Sequence, residues 1–186
     1  MATYDRLTVW AGPGHVTRAG RDVVAGRRIP DSAKAQLVEV GVPTAPRLIE
    51  RVVPQSEAEP ALLTSRGPLY RLTAQADLDD PAGRSSFGVE PETGAVHYVM
   101  PNGEAWFAHS GVGAWLDALH CYGGRVTAPE LLGEPDGPEE DFSEDEEERA
   151  LAELNRLAED LKEIDPAAFH GYEGFLRPGH LDRLLY

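Results

Sequence analysis

The stretch from His109 to Cys121 gathers two histidines, a carboxylate and a thiol: His109, Asp117, His120 and Cys121. These are the residue types of general acid–base, metal and nucleophilic chemistry. A small hydrolase-like enzyme using His109, Asp117 and His120 is therefore one reading of the chain. A helix starting at Ser110 puts Asp117 and His120 three apart on its surface, a spacing that equally makes a solvent-exposed pair. Cys121 then falls at the C-terminal end of that helix, away from the N-terminal field that lowers a thiol pKa. The six histidines form no HxxH or HExxH pair, and a lone cysteine makes no CxxC. Neither a GxSxG elbow nor a Walker loop occurs. The residues thus point to no catalytic group, no metal and no cofactor.

Charge is the second candidate chemistry. The chain has 32 acidic against 17 basic residues, a formal net charge of -15. Ten of the acids fall in Glu134 to Glu148, EPDGPEEDFSEDEEE, which holds no Lys or Arg. Such a chain repels phosphate backbones, so direct nucleic-acid binding is disfavoured. It suits a basic protein partner, because complementary potentials speed and orient association. Calcium is poorly served by DLDDPAG or EEDFSEDEEE, which lack EF-hand spacing. Arg18, Arg21, Arg27 and Arg28 form the one basic cluster, read as a solvated loop or an anion-facing patch.

The elements that must position these residues follow from periodicity and turn chemistry. Tyr4, Leu7 and Trp10 share a helical face behind Thr3 as N-cap, and GPG at 12–14 stops that helix. Val16 to Arg18 reads as a short strand and Asp22 to Arg28 as loop. Asp31 to Val40 reads as a helix capped by Asp31 or Ser32 and ended by Gly41. Strands are expected around Leu48 to Val53 and over Leu69 to Ala74. SFGVEPETGAVHYVMPNGEAWFAHS supplies three strands separated by EPETG and MPNGE, an antiparallel meander with Asn102-Gly103 as its clearest hairpin turn. Ser110 then caps a helix whose Val112, Trp115, Leu116 and Leu119 form one apolar face, ended by Gly123-Gly124. Trp106 and Trp115 are expected in the core. Ser143 and Glu146 form a capping box for a last long helix with a stripe of Leu151, Leu154, Leu157, Leu161 and Ile164, closed by Asp165-Pro166. Leu181 to Tyr186 is a further short apolar segment.

Length fits one domain, with residues 1–133 as an α+β core, 134–148 as an acidic linker, and 149–186 as a helical region completing it. One cysteine excludes an internal disulfide framework. With neither a signal-peptide pattern nor an apolar run of membrane-spanning length, a cytoplasmic protein is expected.

The order of elements resembles a known family. AGPGHVTR, RRIPDSAKAQLVEVGVP and FGVEPETGAVHYVMPNGEAWFAHSGVGAWLDAL, with the exit Val40-Gly41-Val42-Pro43 and the strand, hairpin and capped helix of Gly94 to Leu119, are similar to the SUKH superfamily of bacterial immunity proteins, nearest its fourth subfamily. The likeness runs over residues 3–165. It implies an α+β fold, an antiparallel sheet backed by helices, and a non-enzymatic role: neutralising a nuclease or deaminase toxin domain of a polymorphic toxin system by direct binding. The expected partner is then a basic toxin domain, met by acids around one sheet face or edge: Asp77, Asp79, Asp80, Glu90, Glu92 and Glu104. A regulatory scaffold that binds a cellular protein through the same fold is the competing reading. Oligomeric state is left open.

Overall fold

A computed structural model of the chain describes residues 1–44, 49–52, 60–76, 84–126 and 144–169. It opens with α1 (Tyr4–Ala11), where the Thr3 hydroxyl accepts the Arg6 N–H at 3.2 Å, and Gly12 closes the helix at φ 91°. Leu7 is fully buried on its inner face. Next, β1 (Val16–Thr17) pairs with β2 (Val42–Pro43). Between them, α2 (Arg21–Ala25) occupies residues expected to be loop, because Val24 has a core to enter. α3 (Asp31–Ala35) follows, and Pro30 stands at its N-cap with no side-chain cap from Asp31 or Ser32. It continues as a π turn over Gln36–Val40 that buries Leu37 and Val40. Gly41 ends it at φ 83°, where a Cβ would lie 2.8 Å from the Thr17 carbonyl oxygen.

The seven-stranded sheet comprises β3 (Arg51–Val52), β4 (Leu62–Thr64), β5 (Gly67–Arg71), β6 (Thr73–Ala76), β7 (Arg84–Val89), β8 (Val96–Val99) and β9 (Ala105–His109). All its pairings are antiparallel. The expected single strand Leu69 to Ala74 is divided at Leu72, so that β6 lies against the first half of β7 and β5 against its second half. The hairpin partner β4 was not expected from the sequence. On the other side of β7 come β8 and β9, the predicted meander.

The sheet curls. The β4–β5 turn meets the β8–β9 turn: Ser65 N–H donates to the Gly103 carbonyl at 2.9 Å, and Ala105 N–H to Ser65 Oγ at 3.1 Å. Leu69, Val99 and Ala105, with Leu62, form a small core inside the curl. Gly88 makes room there, since a Cβ on it would come 3.1 Å from the Leu62 and Leu69 side chains.

The opposite face carries the main core. Phe87, Val89, Val96 and Ala108 pack with Val112, Trp115, Leu116 and Leu119 of α4 (Val112–Val126). α5 (Glu144–Ile164) adds Leu154, Leu157 and Leu161 to the same cluster, while Leu151 stays 43% exposed and Ile164 is half-buried. Arg125 bonds Asp160 and lies 3.7 Å from Glu153, tying α4 to α5. A 3₁₀ turn, Pro166–Phe169, follows Asp165, with the proline in its first position, where the missing N–H is tolerated. The fold is α+β, a meander backed by helices, as expected.

Two expectations fail here for one reason each. α4 does not stop at Gly123-Gly124: a Cβ on Gly123 would come 2.5 Å from the Trp10 ring, so the glycine admits α1 rather than ending a helix. Trp106 is 43% exposed while Trp115 is 1% exposed, because among the described residues β9 pairs with β8 alone and its indole is left uncovered. Ser143, the proposed capping residue, and Leu181 to Tyr186 lie outside the described residues, as do Leu48 and Val53.

Candidate functional site

Of the four residues that suggested enzyme chemistry, His109 and Asp117 each tie separate parts of the fold together. His109 ends β9 fully buried, with Nδ1 3.2 Å from Asp165 Oδ2. The Ser110 N–H donates to the same oxygen at 2.7 Å. Burial pushes the Asp165 carboxyl up, but hydrogen bonds from His109 and Ser110 outweigh it and hold the group below its ordinary range. The carboxylate thereby clamps the start of α4 and the end of β9 to the end of α5. Asp117 accepts the Ala2 N–H, fastening the N-terminal segment to α4. Burial, helped by the charge of Arg6, lowers the pKa of His120. The Cys121 thiol is pushed up by burial, the reverse of what a nucleophile needs. Among the described residues, no group of three or more His, Cys, Asp or Glu is placed to hold a metal ion. Asp165 escaped sequence reasoning because it lies 56 positions from His109.

The arginine cluster is also dispersed. Arg18 lies over the Tyr4 ring at 4.3 Å and Arg27 is buried 5.1 Å from the Tyr70 ring centroid. Arg28 reaches Glu92 at 3.7 Å. A solvated loop therefore does not describe Arg27.

The acids divide into two groups. Glu90 and Glu92 sit in the β7–β8 connection, where Glu90 Oε2 accepts the Thr93 hydroxyl at 2.5 Å. Glu92 is exposed and holds φ 66°, the one non-glycine residue with positive φ among those described. Its N–H donates to the Arg28 carbonyl at 2.5 Å, which fixes the turn against the α2–α3 segment. Glu104 is exposed in the β8–β9 turn, at the opposite end of β8, with its N–H on Asn102 Oδ1 at 2.9 Å. Asp77, Asp79 and Asp80 lie outside the described residues. The strands that flank them, β6 and β7, pair Ala76 with Arg84 at the end of the sheet that carries Glu104.

These elements present a curled sheet with acids at both ends and an aromatic on its rim. Compared with protein-family models, residues 2–175 match SUKH-4, the SUKH-4 immunity protein. The chain belongs to the SUKH-4 immunity protein family. No curated protein and no solved structure matches it. Membership gives this SUKH-4 chain an immunity function, and the family is generally non-enzymatic. No helix among its described residues is long and apolar enough to cross a membrane.

The exposed apolar residues were missed from sequence. Leu63 on β4 is 77% exposed, beside the groove it lines with Ser65, Asn102, Gly103 and Glu104. A register of edge strands, which periodicity does not supply, was the information needed to find it and Trp106.

Proposed function

We propose that the chain is a non-enzymatic, cytoplasmic immunity protein that binds and occludes the catalytic domain of a cognate nuclease or deaminase toxin of a bacterial polymorphic toxin system. The observation that carries this reading is the SUKH-4 match on a chain of net charge -15. A domain that holds nucleic acid is basic around its active site, since phosphate contacts come from Lys and Arg. An acidic protein competes for that surface by electrostatic complementarity, and steering raises association rates by about 10-fold to 1,000-fold at low salt. Asp77, Asp79, Asp80, Glu90, Glu92 and Glu104 supply the carboxylates, with Glu90 and Glu92 at one end of β8 and Glu104 at the other, so the assigned surface runs along the sheet and not around a single turn. Glu92 stands out among them, because a non-glycine residue held at positive φ is a strained conformation of the kind retained at binding sites.

The test is co-expression with a nuclease or deaminase toxin domain encoded beside the chain's gene, followed by stopped-flow association of the purified pair across a salt series. Growth is restored by the unmodified chain, and exchanging the six acids for lysine slows association and flattens its salt dependence. A toxin that kills regardless of the chain refutes the function. Unchanged kinetics in the exchanged variant refute the assignment of the surface.

A further inference from the structure

Among the described residues β9 pairs with β8 and with no other strand. Its outer edge starts at Ala105, whose N–H donates to Ser65 Oγ and whose carbonyl accepts from Arg66 Nε, each at 3.1 Å. Those groups point away from β8. The alternation of an antiparallel ladder turns the N–H and C=O of Phe107 the same way. Among the described residues no hydrogen bond meets either one.

The side chains tell the same story on the helix-backed face. Phe87, Tyr98 and Trp106 are register partners across β7, β8 and β9. The inner end of this row is packed, with Phe87 5.2 Å from the Trp115 ring and 5.4 Å from Tyr98 in edge contact. The outer end is Trp106, 43% exposed. In a sheet the residue that covers such a ring stands opposite it on the next strand.

We infer that the outer edge of β9 is a docking strand that takes up an extended segment of the basic partner, pairing with the backbone of Phe107 and placing a side chain on Trp106. This rests on the immunity reading above. The occupant's chemistry follows from the edge. An open N–H and C=O are satisfied together by another extended backbone. An exposed indole favours a cation, Arg above all, and a net charge of -15 favours a basic chain over a second copy of this one. Tryptophan is also the residue type on which interface binding energy most often concentrates.

The experiment compares Phe107→Pro with Phe107→Ala. Both lose the ring that lies against His97, and only proline removes the outward N–H, which β8 does not use. The probe is the purified toxin domain of the growth assay. Phe107→Pro should bind it at least about 10-fold more weakly than Phe107→Ala, and Trp106→Ala about 30-fold more weakly than the unmodified chain. In the complex the Phe107 amide should become protected from hydrogen exchange. This last readout and Trp106→Ala decide the matter even where the proline variant does not fold. Equal binding by the two Phe107 variants, or a bound complex in which the Phe107 amide exchanges as in the free chain, overturns the inference while leaving the function standing. A dimer seen by sedimentation and dissolved by Phe107→Pro assigns the edge to a second copy and overturns it too. Failure of the unmodified chain to bind the domain refutes the immunity reading and this inference with it.

Discussion

Removing the Asp165 carboxylate tests whether the buried clamp organises the junction of sheet and C-terminal helix. Asp165→Ala orphans two donors, His109 Nδ1–H and Ser110 N–H, which share one carboxylate oxygen at 3.2 and 2.7 Å. An unsatisfied buried donor costs about 1–3 kcal/mol, so the variant should lose about 3–4 kcal/mol. In a chain of this length that is a fall in Tm of about 6–16 °C. Asp165→Asn keeps an acceptor in place but loses the charge that roughly doubles hydrogen-bond strength, and should lose only about 1 kcal/mol. The pH dependence has a definite sign. The folded-state pKa of Asp165 is depressed, so between the folded and unfolded values the folded chain holds fewer protons than the unfolded one. Its contribution is present above the unfolded carboxylate value of about 3.9 and is lost as pH falls through the folded value. Thermal unfolding followed by circular dichroism from pH 7 to pH 3 measures both effects. The gap between wild type and Asp165→Asn should be constant above about pH 5 and close below about pH 4. A Tm for Asp165→Ala within a degree of wild type, or a gap that widens in acid, would refute the clamp.

Further outcomes follow from individual contacts. Gly123→Ala should destabilise by about 1–2 kcal/mol net, because its Cβ collides with the Trp10 ring, whereas Gly124→Ala, with open space around it, should gain up to about 1 kcal/mol from helix propensity; urea unfolding of the pair separates the two. Trp115→Ala should cost about 3–5 kcal/mol and Trp106→Ala far less, since one indole is enclosed and the other is on the rim; matching losses would place both in the core. His97 is buried, and desolvation lowers its pKa, opposed by Glu90 and assisted by Arg66. Its neutral form therefore supports the fold above the unfolded histidine value of about 6.5, and this support is lost as pH falls below it. Stability should decline less between pH 7 and pH 5 in His97→Phe than in wild type, as read by urea midpoints.

Local chemistry was legible without coordinates. The Thr3 cap, the glycine stops at Gly12 and Gly41, the Asn102-Gly103 hairpin and the apolar stripes of α4 and α5 each depend on residues within one or two turns of one another, so their signals are contiguous in sequence. The meander and its covering helix, and with them the α+β class, follow from those signals. Tertiary structure decided the rest. Gly123 reads as a helix stop until Trp10 is set against it, and Asp165 reads as a helix-ending residue until His109 reaches it. Trp106 and Trp115 are both aromatic residues in apolar company, yet which one is enclosed depends on where the sheet ends. Periodicity states which face of a strand is apolar. It carries no term for which strand lies at the edge, and that is a property of pairing between segments far apart in the chain.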